Sequence, residues 1–297
     1  MTASDPTQNA DTPLSSPWLD ALRPRLHRYC ARMTGSVIDG EDIVQEVLIK
    51  ALATPDGEEL RNPEGWLFRV AHNASLDFLR HRARHAAVSL DDLPEIAMNL
   101  AAPEDQSQLA ATSLRTFMRL PVAQRSSVIL MDVLGHSLEE IATITDASVG
   151  AVKSALNRGR TRLREMADEP DDVVVPRLAD ADRARLAQYV DRFNARDFDR
   201  LRDMLGDDVR LDLVGRHHIR GRELVGNYFS NYAGKADWRL TIGAVERRPA
   251  ILVFNPQHAG AGPDYFVLLD WIDDELTAIR DFRYARYAMD GAEIALG

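Results

Sequence analysis

The stretch Ser137-Leu-Glu-Glu-Ile-Ala-Thr-Ile-Thr-Asp-Ala-Ser-Val-Gly-Ala-Val-Lys-Ser-Ala-Leu156 carries the strongest local folding signal in the chain. Ser137 followed three residues later by Glu140 predicts a capping box at the start of a first helix. Ser148 is a favourable N-cap for a second helix. The buried stripe of that second helix is predicted to comprise Val149, Val152 and Leu156. The stretch therefore predicts a helix-turn-helix.

The opposite face of the second helix carries small and basic side chains. Its residues are Gly150, Ala151, Lys153, Ser154, Asn157 and Arg158. Small residues near the N-terminus let a helix enter the DNA major groove, where Lys and Arg reach bases or phosphates. An ordinary αα-hairpin with a basic outer face is the alternative interpretation of the same pattern.

Outward from this stretch, helical periodicity covers two blocks that are separated by an acidic, proline-containing segment. After about residue 180, two helical stretches are followed by several alternating strands. We therefore divide the chain into a disordered tail (1–17), a first helical domain (18–86), a linker (87–107), a second helical domain (108–167), a connector (168–179) and a C-terminal domain (180–297).

Composition excludes several classes of protein. The chain has 297 residues, 45% hydrophobic and 28% charged, which excludes wholesale disorder. It has no apolar run long enough for a transmembrane helix and no basic, apolar start typical of a secretory signal. Cys30 is the only cysteine, so no intrachain disulfide and no cysteine-based zinc site are expected. These features predict a cytoplasmic protein that is not associated with membranes.

The charge distribution allows nucleic-acid binding although the net charge is −10. Two segments lack acidic residues and are strongly basic: Arg80 to His85, with three arginines and two histidines, and Lys153 to Arg164, with five basic residues. An acidic protein with two dense basic stripes can hold DNA locally. Solvated helix faces are the alternative explanation for each stripe taken alone.

The segment from Leu120 through Arg164 resembles the fourth conserved region of sigma-70 family transcription initiation factors, and most closely the compact extracytoplasmic-function (ECF) group. In that family the region binds the −35 promoter element. Ala155 stands where the family usually has Arg, and Asp146 where the turn often has Gly. The resemblance implies that the −35 element is contacted by Ser148, Lys153, Ser154, Asn157, Arg158 and Arg160.

The segment from Asp39 to Leu52 is similar to part of the family's second region, an amphipathic helix that docks on the clamp helices of the RNA polymerase β′ subunit. Ile43, Val47 and Leu48 are predicted to pack inward. The resemblance implies that Asp42, Gln45 and Glu46 bind the polymerase. Taken alone, the pattern also fits a solvated polar face.

The segment from Asn62 to Arg84 resembles the family helix that captures the non-template strand of the −10 element. Flipped bases need stacking partners, and the strand needs cations along its backbone. We interpret Trp66 as a core residue rather than a base-stacking one. The resemblance implies that the −10 element is contacted by Arg69, Asn73, Asp77, Arg80, Arg82 and Arg84.

Together the two resemblances imply a sigma factor that directs core RNA polymerase to promoters, with the polymerase β′ clamp helices, the β flap and promoter DNA as its partners. Such a protein performs no chemistry, so we expect no catalytic residue, no cofactor and no metal ion.

The C-terminal domain is predicted to be α+β, because helices are followed by antiparallel strands. Its order resembles the SnoaL-like branch of the NTF2-like fold, in which a curved sheet surrounds a cone-shaped pocket. Candidate pocket residues are Asp212, Asp270 and Tyr284. We expect this domain to regulate the factor, through docking, a small ligand or an anti-sigma factor. The alternative is a cyclase or isomerase enzyme fused to a DNA-binding region.

Overall fold

The computed structural model describes residues 16–54, 61–86, 113–167, 178–233, 238–257 and 262–297. The chain divides into two compact units, residues 1–171 and 172–297, which are treated separately below. Residues 1–15 of the predicted tail, the linker and most of the connector lie outside the described residues, whereas Ser16 and Pro17, predicted as part of the disordered tail, begin the first helix. None of the helices within the described ranges combines the length and apolar character that a membrane crossing requires.

The described part of the first unit is entirely helical. Its elements are α1 (Ser16–Thr34), α2 (Val37–Leu52), α3 (Pro63–Ala86), α4 (Leu114–Met118), α5 (Val122–Val128), a π-helical turn (Ile129–Val133), α6 (Leu138–Thr145) and α7 (Val149–Ala167).

Helix α2 begins at an N-cap, because the Oγ of Ser36 accepts a hydrogen bond from the Asp39 amide at 3.0 Å. The predicted inward face is confirmed, since Ile43, Val47 and Leu48 are all buried. Helices α1 and α2 cross closely at Gly40, where a Cβ atom would lie 2.6 Å from the backbone nitrogen of Ala31. Only glycine permits this approach.

The two helical regions share one hydrophobic core. Buried residues of α1–α3 and of α4–α7 belong to the same cluster, with Phe68 and Phe117 among its largest members. The ring of Phe68 packs edge-on against His136, with 4.8 Å between centroids. Arg25 donates a hydrogen bond from α1 to the Leu134 carbonyl at 3.3 Å. The predicted helical domains are therefore packed together in a single unit.

Arg125 of α5 links the α1–α3 region to the α4–α7 region through hydrogen bonds to three backbone carbonyls. Its guanidinium donates to the carbonyl of Met33 in α1 at 2.6 Å, and to those of Met118 and Leu120 at 3.1 and 2.9 Å. The side chain is buried, and burial lowers the pKa of Arg125 to about 10. A buried guanidinium thus satisfies carbonyls that would otherwise lack donors.

Cys30 lies in the core of the first unit and is fully buried. Burial raises the pKa of its thiol to about 12, and the nearby Glu41 adds to this effect.

The second unit packs helices against one mixed sheet. Its elements are α8 (Asp180–Asn194), α9 (Phe198–Asp203), β1 (Leu205–Leu213), β2 (His217–Arg220), α10 (Arg222–Tyr228), α11 (Ser230–Ala233), β3 (Arg239–Val245), β4 (Arg248–Phe254), β5 (Tyr265–Ile272), β6 (Glu275–Asp281), a 3-10 turn (Arg286–Met289) and β7 (Ile294–Leu296).

The strand order in the sheet is β2-β1-β6-β5-β4-β3-β7. The pairs are antiparallel except for β1 with β6, which run parallel. This arrangement confirms the predicted α+β class and is consistent with an NTF2-like architecture. Aromatic side chains form much of the layer next to the sheet: Tyr189 and Phe193 of α8 contact Phe229 and Tyr232, respectively.

Candidate nucleic-acid interface

Helices α6 and α7 form the predicted helix-turn-helix. The capping box is present, because the Ser137 Oγ accepts from the Glu140 amide and the Glu140 carboxylate accepts from the Ser137 amide. These hydrogen bonds lower the pKa of Glu140. Asp146 ends α6 in the left-handed conformation, with φ of 55°, which explains why Asp is accepted where Gly is common. The Ser148 Oγ then accepts from the Ala151 amide at 3.2 Å at the start of α7.

The outer face of α7 presents most of the residues predicted to contact the −35 element. Lys153, Ser154 and Arg158 are exposed, and Asn157 is half-buried. Val152 and Leu156 face the core, as predicted, and Ala155 is buried with them. At this position a small residue fits the packing of α7, whereas the family's usual Arg would have to leave the core.

Arg160 occupies a different environment from the other predicted −35 residues. Its Nε donates to Asp132 Oδ2 at 2.9 Å, and its Nη2 pairs with Asp132 Oδ1, which gives a two-point ion pair. The hydrogen bonds that Arg160 donates to Asp132 raise the pKa of Arg160. Asp132 is buried in the π-helical turn. The pair therefore joins α7 to the preceding helical segment.

The exposed face of α2 carries the residues predicted to bind polymerase. Asp42 and Glu46 are exposed, whereas Gln45 is partly buried and accepts a hydrogen bond from Arg23 at 2.8 Å. The same Arg23 pairs with the buried carboxylate of Glu41. Gln45 thus helps to hold α1 against α2, and Asp42 and Glu46 remain the outward-facing pair.

Two apolar side chains on α2 were missed by the sequence analysis. Ile49 is 58% exposed and Leu52 is 61% exposed, near the C-terminal end of the helix. Exposed large apolar residues beside charged ones are typical of protein-binding surfaces. Helical periodicity predicted Ile43, Val47 and Leu48 as the inward residues and gave no sign that Ile49 and Leu52 are exposed apolar residues.

A groove of about 510 Å³ brings the predicted polymerase-binding and −10 residues together. Helix α2 contributes Asp42, Glu46 and Lys50 to its wall, and α3 contributes Asn73 and Asp77. His81 and Arg84 extend the α3 wall toward the end of that helix. The groove therefore combines an acidic side on α2 with a mixed polar and basic side on α3.

The other predicted −10 residues lie away from this groove. Arg69 is 3.9 Å from the Asp146 carboxylate, and Arg82 donates to the Thr34 carbonyl at 3.0 Å. Arg80 pairs with Asp77 at 2.9 Å and lines a second groove of about 450 Å³, between α3 and the helices α5 and α7. Trp66 is partly buried against the shared core, which fits its interpretation as a core residue.

The candidate pocket residues of the C-terminal unit do not meet on its buried face. Asp212 pairs across strands with Arg280, which in turn pairs with Leu268, two residues from Asp270. Because residues two apart along a strand share a face, Asp212 and Asp270 lie on the same side of the sheet. That side is half-buried at Asp212 and exposed at Asp270, and Tyr284 is also exposed.

Among the described residues of this unit, Asp281 is the acidic residue that is buried. It follows Arg280 directly and therefore faces the opposite side of the sheet, with 5% of its surface exposed. The hydroxyl of Tyr232 donates to Asp281 Oδ2 at 3.3 Å. Strand periodicity alone does not distinguish Asp281 from Asp212 as the inward residue, because that choice requires the register.

Comparison with known proteins identifies both helical regions. Residues 18–85 match the model of Sigma-70 region 2, and residues 114–163 match that of Sigma-70, region 4. The ECF RNA polymerase sigma factor SigE of Mycolicibacterium smegmatis is 33% identical over 148 residues, which cover 48% of this chain and 56% of SigE. The match thus spans just over half of SigE.

Two further proteins are similar to this chain. The ECF RNA polymerase sigma factor SigW of Bacillus subtilis is 31% identical over 159 residues, which cover 50% of this chain and 85% of SigW. The crystal structure of the Mycobacterium tuberculosis extracytoplasmic function sigma factor SigJ aligns with 89% of this chain and 94% of its own, at 20% identity and a TM-score of 0.35. With both sigma-70 regions matched in order and SigW covered over most of its length, the chain belongs to the ECF group of sigma-70 family RNA polymerase sigma factors.

Proposed function

We propose that this protein binds core RNA polymerase, directs it to promoters, and helps to melt the −10 element while binding the −35 element. The observation that supports this most strongly is that one unit contains both required surfaces. Asp42 and Glu46 are exposed on α2, and Lys153 and Arg158 are exposed on the second helix of the helix-turn-helix. Run-off transcription with core polymerase tests the proposal directly.

The polymerase surface also separates this function from that of an enzyme with an attached DNA-binding region. A DNA-binding module alone needs the exposed face of α7 but has no use for the acidic and apolar face of α2. That face carries Asp42, Glu46 and Ile49 outward over about two turns. The transcription factor is therefore the better account of the first unit.

The −35 and −10 surfaces should respond differently to mutation. Lys153→Ala and Arg158→Ala should each weaken binding to a −35 duplex, by about 1–3 kcal/mol if a base contact is lost. Loss of a phosphate contact should lower the salt slope of binding by about one. Arg80→Ala should instead impair open-complex formation more than duplex binding, because strand capture needs cations beside the opened bases.

Affinity for a −35 duplex measures −35 binding, and permanganate reactivity of the −10 bases measures strand opening. Arg183→Ala, at an exposed position on α8, serves as a control that removes one positive charge from the second unit. The same defect in all three test variants would contradict the proposed division between the −10 and −35 surfaces.

We further propose that the second unit regulates transcription rather than catalysing a reaction. Residues 172–297 form their own compact unit. The segment 171–297 carries a net charge of −4, whereas the proposed promoter-binding face of α7 is basic. A short tether gives such a unit an effective concentration of about millimolar near its neighbours, so weak contacts with the basic surfaces would be populated.

Deletion of residues 172–297 should therefore change the yield of run-off transcript from a promoter that the full-length protein transcribes. Equal yields at matched polymerase occupancy would contradict a regulatory role. Small-angle scattering of the free full-length protein supplies the second measurement, since intramolecular docking predicts a compact particle.

A further inference from the structure

A hydrogen-bonded chain in the second unit links the buried Asp281 to a partly exposed hydroxyl. The Tyr232 hydroxyl lies 3.3 Å from Asp281 Oδ2, and the Tyr228 hydroxyl lies 2.9 Å from that of Tyr232. The other carboxylate oxygen, Oδ1, accepts from the backbone amide of Arg283 at 2.8 Å. Asp281 and Tyr232 are buried, whereas Tyr228 is partly exposed. The chain therefore runs from the interior toward solvent.

The protonation state of Asp281 decides what Tyr228 offers at the outer end. Each tyrosine has one hydroxyl proton. When Asp281 is ionised, Tyr232 donates to it and Tyr228 must donate to Tyr232, which leaves Tyr228 with acceptor capacity only. When Asp281 is protonated, it can donate to Tyr232, Tyr232 can donate to Tyr228, and the Tyr228 hydroxyl is released to donate outward.

The surroundings of this chain favour an anionic, planar ligand. The guanidinium of Arg283 lies 4.5 Å from the centroid of the Trp238 ring and 5.8 Å from that of Tyr284. Trp238 is partly exposed and Tyr284 is exposed. A half-buried cation beside aromatic rings attracts a negatively charged oxygen and provides faces for a conjugated system.

We propose that the second unit contains a small-molecule site in which the Tyr228 hydroxyl donates to the oxygen of a phenolate- or enolate-type ligand, with the compensating proton held on Asp281. Binding of the neutral ligand to the ionised site transfers one proton from the ligand oxygen through the two tyrosines to Asp281. No bond other than these O–H bonds is broken or formed. The site is independent of the promoter-binding function of the first unit.

The environment of Asp281 supports this proton storage. Burial raises the pKa of its carboxyl to about 6, against the opposing effect of the Arg283 amide and guanidinium. The ionisable groups that face it are Tyr189 of α8, Tyr228 of α10, Tyr232 of α11, Tyr265 of β5 and Arg283, and the charge of Asp212 acts on it from the other face of the sheet. Arg283 is the one cation among these groups, so a second negative charge at the site is best accommodated when Asp281 is protonated.

The test uses the full-length protein and 4-nitrophenol, whose ionised form absorbs visible light and which ionises near neutral pH. The protein should bind the probe as phenolate even where the free probe is neutral. Above the pKa of the probe, each complex must take up one proton, so the affinity should fall about tenfold per pH unit. This profile needs no variant and is therefore independent of any effect of mutation on folding.

Two conservative variants separate the parts of the site. In Asp281→Asn the Oδ1 atom can still accept from Arg283, and the amide N–H can donate to Tyr232 at every pH. This variant should keep its affinity at high pH, where that of the unmutated protein declines. Tyr228→Phe should weaken phenolate binding about 10- to 100-fold, because it removes a hydrogen bond to a charged group. Tyr287→Phe, which removes a hydroxyl from the 3-10 turn outside the hydrogen-bonded chain, is the matched control and should bind normally.

Three results would each overturn the proposal. They are absence of phenolate binding by the unmutated protein, an affinity of Tyr228→Phe equal to that of Tyr287→Phe, and a decline at high pH in Asp281→Asn that matches the unmutated protein. Circular dichroism and thermal melting establish that the variants are folded.

Discussion

Lysine substitution at both Asp42 and Glu46 should abolish binding of this protein to core RNA polymerase. Both side chains are exposed on α2 and line the same groove, so the change reverses the charge of the surface without entering the core. Like charges across an interface cost several kcal/mol, which corresponds to a loss of affinity of about 100-fold or more. Glu46 also pairs with Lys50 on the helix surface, a contact of little energetic weight.

Polymerase binding can be measured by co-elution with core enzyme or by fluorescence anisotropy. Lysine at Asp191 and Asp203, two exposed acids of the second unit, produces the same change in net charge and is the control. Ile49→Ser should weaken binding without changing charge, since it removes apolar area from the same face. Normal polymerase binding by a folded Asp42→Lys, Glu46→Lys protein would disprove the role of α2.

Replacement of Arg125 by Met should destabilise the first unit by about 3–5 kcal/mol. Arg125 supplies donors to three backbone carbonyls, and one of these, Met33, lies 92 residues away in α1. Methionine fills a similar volume but provides no donor, so these acceptors lose their hydrogen bonds inside the core. The loss should also weaken the attachment of α5 to α1.

The free energy of unfolding of the first unit can be measured by urea titration, with amide hydrogen exchange read out separately for peptides from each unit. Arg162→Met, at an exposed position of α7, removes the same charge and should change stability by no more than about 0.5 kcal/mol. A loss of less than about 1 kcal/mol for Arg125→Met would show that water or a rearranged side chain replaces the missing donors.

Local signals in the sequence predicted the helix-turn-helix well. The capping box of Ser137 and Glu140 is formed, and Val152 and Leu156 are buried. These features depend on residues three or four apart, whose geometry is fixed as soon as a helix forms. For the same reason the inner face of α2 was predicted correctly.

Interactions between distant residues could not be predicted in this way. Nothing in the neighbourhood of Arg125 indicates that it is buried, because its acceptors belong to other helices and to the turn before α5. The pairing of Asp132 with Arg160 likewise joins residues 28 apart. Asp132 and Arg160 are charged residues of the kind usually found on a protein surface, and only the packing of the helices shows that they pair.

The C-terminal unit shows the same limit in a sheet. Alternating apolar residues predicted its strands, but two neighbouring positions on one strand face opposite sides. Among the described residues, the acid that is buried is Asp281, while Asp212 and Asp270 are on the more exposed face. Selecting the inward acid requires knowledge of which strands pair and in what register.

The burial of Cys30 has a practical consequence for labelling. Thiol reagents attack the thiolate, and a fully buried thiol whose pKa is raised to about 12 presents almost none of it to solvent. A maleimide dye should therefore react with a cysteine introduced at an exposed site such as Ser154 and leave Cys30 unmodified. The natural chain thus already serves as the non-reactive background for site-specific fluorophores on the helix that we propose to bind promoter DNA.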